Sequence, residues 1–398
     1  MNRTTNSCPR PKRILFVDHV DRILGGAEIN LIELIEEAKK HSQWQIAVAC
    51  RVGAALSQAL DKIGVQQFDY CLDPRLNELR FAGAKFPWTR ALGGMRALNE
   101  ARAQLTNILA QFETDAVVSC TNKDHFVACH ASPQSIWWVN DLLTPDFFPL
   151  PARLAFRHYA AKASRLVAVS HCVKDALTQL GIPREKITVI QNGIPIAKYT
   201  SGNKEAFRKA NYIHDDEPIF GWIGRICDWK GPELYNAIAG EWKKRQKAGR
   251  FFVIGSSFNE DAGFFAWFER SARDIKFASY PSYVPDALAA MDAFLHTSLR
   301  PEPFGRVLIE AMAAGVPVIA ANAGGACEII RSGENGFLAR PNDAQSYIEK
   351  LSLLYPRSPT VEQMIAKART TVAVQFNVER VYRDFDALLS IGLNPLHH

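Results

Sequence analysis

The sequence predicts an α/β architecture of two Rossmann-like domains, each built on a parallel sheet, and three observations carry that reading. Short β-branched or aromatic runs recur along the chain, each followed by a helix-length segment, which is the signature of βαβ units. With 398 residues the chain has length for two domains, and a single small module is excluded. Its 47% hydrophobic and 22% charged residues are globular proportions that supply two full cores and exclude disordered, collagen-like and coiled-coil readings.

In the first half, strands are expected near Ile14 to Val17, Gln45 to Ala49, Ala116 to Ser119, Ile136 to Val139, Leu166 to Val169 and Thr188 to Ile190. In the second half they are expected near Ile219 to Trp222, Phe251 to Ile254, Ile275 to Phe277, Ala293 to His296 and Val318 to Ala320. Ser170 follows the Leu166 run and suits the cap of a helix that stops at Gly181, with Pro183 just beyond. Asn192-Gly193 starts a turn and Ser201-Gly202-Asn203 is polar, so the domain boundary falls around residues 192 to 204. The expected division is 1–197, completed by a closing helix 376–398, and 198–375. Within that last segment Val378, Val381, Tyr382, Phe385, Leu388 and Leu389 recur at helical spacing, as in an amphipathic helix. No internal repeat is visible.

The net charge is +6, from 47 basic and 41 acidic residues, and residues 1 to 13 hold Arg3, Arg10, Lys12 and Arg13 with no acid. The remainder is nearly balanced, so no strong nucleic-acid footprint exists. The 8 cysteines are scattered, without a Cys-x-x-Cys pair or a His spacing suited to zinc, which points to a reducing compartment. Met1 to Arg13 has no apolar leader and no run of 18 uncharged apolar residues occurs. A cytoplasmic protein is expected, with peripheral contact at an anionic membrane face left open.

The most informative stretch runs from Pro301 to Gly315. It reads as a loop delivering Glu302, then a helix starting near Gly305 and ended by Gly315, with Pro317 ahead of a strand. First-turn amides at Gly305, Arg306 and Val307 would form an anion site, and Gly305 lets a phosphate or sugar approach the backbone. Glu310 lies eight residues past Glu302, about two helical turns, so both carboxylates can face one cleft. One could hold a sugar and the other a ribose, because carboxylates accept paired hydrogen bonds from vicinal hydroxyls. The plain alternative is a charged helix start favoured by the dipole.

Gly221-Trp222-Ile223-Gly224-Arg225 ends a strand, and Lys230-Gly231 follows on the same loop at the sheet's carboxyl edge, where ligands of open α/β sheets bind. Arg225 suits a bidentate grip on a diphosphate and Lys230 adds a point charge, unless both are simply solvated. Leu24-Gly25-Gly26-Ala27-Glu28 opens a helix at Ala27 after the first strand and can cradle a phosphate, although it is only a fragment of a dinucleotide fingerprint. From Arg80 to Arg102 basic residues interleave with Phe81, Phe86, Trp88, Leu92, Met95 and Leu98, which fits either an anionic lipid surface or an ordinary helix with a buried face. Asp384-Phe385-Asp386 has the form of a metal-binding pair but sits inside the closing helix and reads as surface charge. His125 follows the Ala116 strand and is a catalytic candidate set against a structural role.

Together, Gly25-Gly26, Val169-Ser170, Val189 to Gly193, Gly224-Arg225, Lys230-Gly231 and Glu302 to Gly315 resemble the retaining glycosyltransferases of family-4 type. The Glu-x7-Glu block is the most specific of these features. The resemblance implies the GT-B fold, in which two Rossmann-like domains face a central cleft and the closing helix crosses back to the first domain. It implies an acceptor site in the first domain and a nucleotide-sugar site in the second, with retention of configuration and no metal or other cofactor. By that likeness Arg225 and Lys230 hold the donor diphosphate and Glu302 approaches sugar hydroxyls, with amides from Phe304, Gly305, Arg306 and Val307 nearby. Glu310 would bind the ribose diol, while Gly25 and Gly26 complete the phosphate cradle. Many relatives carry a His after the strand matching Ala116 to Ser119 and another in the segment that here reads Trp137-Trp138-Val139-Asn140-Asp141. This chain has Cys120-Thr121-Asn122 and Asn140 there, which leaves Thr121, Asn122, His125 and Asn140 as candidates to face the anomeric carbon.

Hexosyl transfer from a nucleoside-diphosphate sugar to a glycan, lipid-linked or small-molecule hydroxyl is therefore the leading reading, in polysaccharide, glycolipid or glycoconjugate synthesis. The alternatives are a catalytically silent nucleotide-sugar-binding scaffold and a sugar-nucleotide epimerase or phosphorylase on the same fold. Base recognition is expected around Tyr280 to Val284.

Overall fold

The structure is a computed structural model describing all residues except 1–9, 21–23, 74–75, 77–87, 145–149, 215, 246, 257–260, 279–282 and 393–398. The chain divides into two compact units, one of residues 1–190 and 381–398, the other of residues 191–380. The boundary lies a few residues ahead of the turn-rich stretch, because the segment after it is tied into the second unit. Ile194 N–H donates to the Phe376 carbonyl at 2.9 Å, and Val378 N–H to the Ile194 carbonyl at 3.1 Å.

The first unit holds a seven-stranded parallel sheet. Its strands are β1 (Lys12–Val17), β2 (Trp44–Cys50), β3 (Gln66–Asp69), β4 (Ala116–Ser119), β5 (Ser135–Val139), β6 (Arg165–Ala168) and β7 (Ile187–Val189), in the spatial order β3-β2-β1-β4-β5-β6-β7. Central strands read as continuous apolar runs because helices cover both faces, and every residue of β4 and β5 is buried. Leu15 pairs in register with Ala47 on one side and Val117 on the other, so the order reverses between β1 and β4. A reversal of this kind opens a crevice at the carboxyl ends of those two strands. The β3 edge strand escaped the sequence reading because Gln-Gln-Phe-Asp lies half in solvent and lacks an apolar run.

The helix Trp88–Phe112 lays Ala97, Ala101, Leu105, Ile108 and Phe112 into the first core, while Arg96 faces out and pairs with Glu100 at 2.9 Å. That favours the ordinary buried-face reading of the basic-apolar stripe, whose first part, residues 80–87, lies outside the described residues. The closing helix Val378–Gly392 buries Tyr382, Phe385 and Leu389 in the first unit. Tyr382 stacks on His41 at 4.4 Å between centroids, and Phe385 meets Trp138 edge-on at 5.0 Å. Asp386 corrects its reading as surface charge. Its carboxylate accepts from Lys12 Nζ and from Trp44 Nε1, both at 2.8 Å, and so fastens the helix to β1 and β2.

The second unit holds a six-stranded parallel sheet of β8 (Ile219–Ile223), β9 (Arg250–Ile254), β10 (Ile275–Ala278), β11 (Ala293–His296), β12 (Val318–Ala321) and β13 (Phe337–Ala339), ordered β10-β9-β8-β11-β12-β13. The edge strand β13 was also missed, because Phe-Leu-Ala is apolar but only 3 residues long. Phe220, Trp242, Phe251, Tyr235 and Tyr347 fill the core on one face. Here the order reverses between β8 and β11, so the loops leaving these two strands flank one crevice. Among the described residues no helix is long and apolar enough to cross a membrane.

Candidate functional site

The loop after β8 contains a short turn, Asp228–Lys230, and ends at Gly231, which caps the helix Pro232–Lys244. β11 delivers His296, Thr297 and Ser298, all buried, to the same edge. Thr297 joins the two loops: its hydroxyl accepts from Trp222 Nε1 at 3.1 Å and donates to the Gly231 carbonyl at 2.8 Å. Gly231 sits at φ 70°, and a Cβ there would lie 2.0 Å from the Thr297 carbonyl oxygen, so only glycine permits this approach.

The result is a compact polar cluster around Glu302, whose residue is only 7% exposed. Its Oε1 lies 2.7 Å from Lys230 Nζ and 2.8 Å from His296 Nε2, and it accepts the Ser298 hydroxyl. Burial opposes ionisation of this carboxyl, but the Lys230 ammonium and the His296 ring outweigh burial and hold it well below the usual carboxylate range. His296 Nδ1 is buried without a partner, which favours the tautomer whose proton sits on Nε2 and points at Glu302. Behind the loop, Gly325 N–H donates to the Glu302 carbonyl at 2.9 Å.

Past Glu302 the chain turns through Gly305, whose φ of 96° is left-handed, into the helix Arg306–Ala314. The first N–H groups of such a helix lack intrahelical acceptors and attract anions. Phe304 contributes only backbone there, since its ring is buried 5.7 Å from the ring of Phe376. Glu310 Oε1 accepts from Arg306 Nε at 2.6 Å and from the Tyr199 hydroxyl at 3.1 Å, and Arg306 NH2 reaches Tyr199 at 2.9 Å. Both carboxylates of the Glu-x7-Glu block are thus fixed in position by buried donors.

Arg225 and Lys230 are not simply two solvated cations, the plain alternative to a diphosphate grip. Arg225 Nε lies 3.5 Å from Asp261 Oδ2, and its guanidinium is 5.9 Å from the Trp229 ring centre. Lys230 Nζ lies 4.5 Å from the centre of the same ring. Of the expected base-recognition stretch, residues 280–282 lie outside the described residues.

In the first unit the helix after β1 begins at Gly26, one residue ahead of expectation, with Gly25 as its cap. The Gly25 N–H already donates to Glu28 Oε2 at 2.6 Å, so a carboxylate occupies part of the expected phosphate cradle. The catalytic candidacy of His125 is corrected. Its residue is 1% exposed, its ring stacks on Trp137 at 4.9 Å, and Nδ1 meets the Ser119 hydroxyl at 2.7 Å. Burial drives its pKa down to about 3, so it is a neutral core group. Asn140 spends its amide on the Trp138 and Cys120 carbonyls at 3.1 and 3.4 Å, and Asn122 donates to Asp141 at 2.7 Å.

A different histidine reaches the carboxyl edge at β1. His19 Nδ1 lies 3.0 Å from Asp124 Oδ2 and 3.1 Å from Thr121 Oγ1. Asp124 is fully buried and Asp18 beside it is also buried, its carboxyl pushed well up by burial and then by Glu28 and Asp124. His296, Ser298, Tyr199, His19 and Asp124 were not singled out from the sequence as site residues. Isolated polar residues at strand ends carry no spacing pattern; within the second unit folding brings His296 and Ser298 beside Glu302 and Tyr199 beside Glu310, and within the first it brings His19 beside Asp124.

Residues 24–198 match the family model described as Glycosyltransferase Family 4, and residues 203–371 match Glycosyl transferases group 1. The chain belongs to the family-4-type glycosyltransferases. Among curated relatives of this glycosyltransferase chain, a D-inositol 3-phosphate glycosyltransferase of Rhodococcus opacus is 28% identical over 237 residues, 56% of this chain and 52% of that protein. The capsular polysaccharide biosynthesis glycosyltransferase CapM of Staphylococcus aureus is 28% identical over 243 residues, 58% of this chain and 62% of CapM. A GDP-mannose-dependent alpha-mannosyltransferase of Mycobacterium tuberculosis is 28% identical over 195 residues, 48% of each chain. The chain spans about half the length of the curated relatives it matches. Among solved structures, Anabaena HepE in complex with UDP superposes with a TM-score of 0.80 at 24% identity, covering 95% of this chain and 100% of HepE. Sucrose-phosphate synthase of Thermosynechococcus elongatus gives 0.76 at 17% identity, covering 96% and 98%. These neighbours establish the GT-B class of two Rossmann-like domains.

Proposed function

We propose that this glycosyltransferase moves a hexosyl unit from a nucleoside-diphosphate sugar to an acceptor hydroxyl with retention of configuration, without metal, in the synthesis of a polysaccharide, glycolipid or glycoconjugate. The observation that carries the reading is the buried Lys230–Glu302–His296 cluster beside the start of the Arg306–Ala314 helix. A carboxylate held ionised and buried at that edge is a hydrogen-bond acceptor for sugar hydroxyls. Lys230, Arg225 and the helix N–H groups supply positive potential for the charge that develops on a departing diphosphate. Glu310, oriented by Arg306 and Tyr199, is suited to a ribose diol.

HepE has been seen with UDP and UDP-glucose, and the mycobacterial relative is named for GDP-mannose, so a uridine or guanosine donor is the class to test first. Among the described residues no group of three or more His, Cys, Asp or Glu is placed to hold a metal ion. The test is calorimetric titration of the full chain with UDP, GDP, ADP and TDP in EDTA. Binding of one diphosphate, followed by transfer from the matching sugar nucleotide with the product anomer read by NMR, supports the reading. Failure of all four to bind, with and without magnesium, refutes it. Binding without turnover on any acceptor favours the silent scaffold, a reading motivated by Thr121 and Asn140 standing where relatives carry histidine.

A further inference from the structure

We propose that His296 is a positioning residue that keeps Glu302 in place while Lys230 turns to the donor diphosphate; the assignment rests on the transferase reading above. One ammonium has two anions to serve. Lys230 Nζ lies 2.7 Å from Glu302 Oε1, and the same side chain is the cation that its loop offers to a diphosphate. A bound diphosphate therefore competes with Glu302 for that ammonium. With only 8% of its side chain exposed, the carboxylate cannot turn to water in exchange and depends on other donors.

Two such donors converge on the same oxygen. His296 Nε2 lies 2.8 Å from Oε1, and the Ser298 hydroxyl donates to it. Both residues are buried at the end of β11, where the His296 carbonyl accepts the Tyr347 hydroxyl at 2.8 Å and Thr297 is tied to Trp222 and Gly231. His296 Nδ1 is buried without a partner, so a proton there would be stranded, whereas a proton on Nε2 meets the carboxylate. Lys230 is differently placed: it sits on the loop after β8 with 21% of its side chain exposed, so of these partners it is the one able to swing. The consequence is one-sided. In the free protein Lys230 and His296 support the carboxylate together, and loss of His296 is cushioned by the ammonium. With diphosphate bound the ammonium is shared, and the same loss leaves a buried charge short of donors. His296 thus favours the bound state through Glu302 and without touching the ligand.

The test is a double-mutant cycle on the affinity of the full chain for UDP or GDP, whichever the wild type binds, read by calorimetry. His296→Leu should weaken that affinity about 10-fold, the size of one hydrogen bond to a charged group, while affinity for the bare nucleoside stays unchanged. His296→Gln, whose amide can donate to the same oxygen, should recover most of the loss. In a Glu302→Gln background no carboxylate needs support, so adding His296→Leu should change diphosphate affinity by less than about 2-fold. A merely structural role would weaken nucleoside and diphosphate alike, whatever stands at position 302. Equal losses on both backgrounds, or wild-type affinity in His296→Leu, would overturn the assignment and leave the transferase reading standing. Should His296→Leu fail to fold, Ser298→Ala removes the other donor from Oε1 and should weaken diphosphate binding alone by about 3-fold, and unchanged affinity would overturn the assignment equally. In wild-type protein labelled with 15N-histidine, and with His296→Gln to identify the signal, the His296 ring should carry its proton on Nε2; an Nδ1–H tautomer would sink the idea. Absence of any diphosphate binding by the wild type would instead remove the transferase reading and this assignment together.

Discussion

Replacing Lys230 by Met takes away the ammonium 2.7 Å from Oε1 of Glu302 while preserving most of the side chain's volume. The two side chains are 21% and 8% exposed, so the charges interact largely out of bulk water. At an effective dielectric constant near 20, a 2.7 Å separation corresponds to roughly 6 kcal/mol of attraction. Desolvation offsets about half of that, so stranding the buried carboxylate should cost about 3 kcal/mol. For a unit of this size that is a fall of about 6–12 °C in melting temperature. Differential scanning calorimetry of wild type, Lys230→Met, Glu302→Gln and the double variant reads it, and the double variant should recover at least half of the loss because a neutral amide needs no cation. The pH dependence has a definite sign. The folded-state pKa of Glu302 is depressed below the ordinary 4.5, so its contribution is fully present above that pH and is lost as pH falls through the folded value. The wild-type and Lys230→Met curves should therefore converge under acid conditions. A melting-temperature change under about 2 °C, or no recovery in the double variant, would refute the claim that this pair is a buried, mutually dependent one.

Glu302→Gln should reduce transfer by roughly 10²- to 10³-fold with diphosphate binding retained, and wild-type transfer rates would remove Glu302 from the mechanism. Gly231→Ala places a methyl group 2.0 Å from the Thr297 carbonyl at a φ of 70°. It should lower the melting temperature by about 4 °C or more, and an unchanged melting temperature would contradict the close approach. His125, neutral in the core with a pKa near 3, refuses a proton that the unfolded chain accepts below pH 6.5, so folding weakens as pH drops from 6.5 toward 3. The loss between pH 8 and pH 5.5 should be roughly 1.4 kcal/mol, and His125→Leu should lack it; the same acid-side slope in the variant would show that His125 is not the group responsible.

Much of the fold was legible because buried parallel strands write themselves as apolar runs, as Ala116–Ser119 and Ala293–His296 do. Gln66–Asp69 and Phe337–Ala339 left weaker traces, since edge strands share their faces with solvent and can be short or polar. In the second unit Glu302, Glu310 and Lys230 were readable from spacing, as local order along one loop and one helix. Their buried partners were not, because Tyr199 is 111 residues from Glu310 and the contact depends on tertiary packing. In the first unit His125 was a candidate alongside Thr121, Asn122 and Asn140, and its ring stacks on Trp137 in the core. Which of two histidines faces solvent is decided by the face of a helix and the end of a strand, and neither shows in a pattern of residue types.

The return of the Val378–Gly392 helix to the first unit makes that unit discontinuous along the chain. During synthesis the opening 190 residues leave the ribosome without the Tyr382, Phe385 and Leu389 side chains that complete their packing, and Trp138 stays uncovered until the last segment arrives. The middle unit is contiguous and has all of its own residues first, so it can finish folding earlier, against the usual order in which the leading domain completes first. Damage at the carboxyl terminus, whether a frameshift or a protease nick near residue 377, would then be felt at the opposite end of the sequence, at Lys12, Trp44 and Trp138.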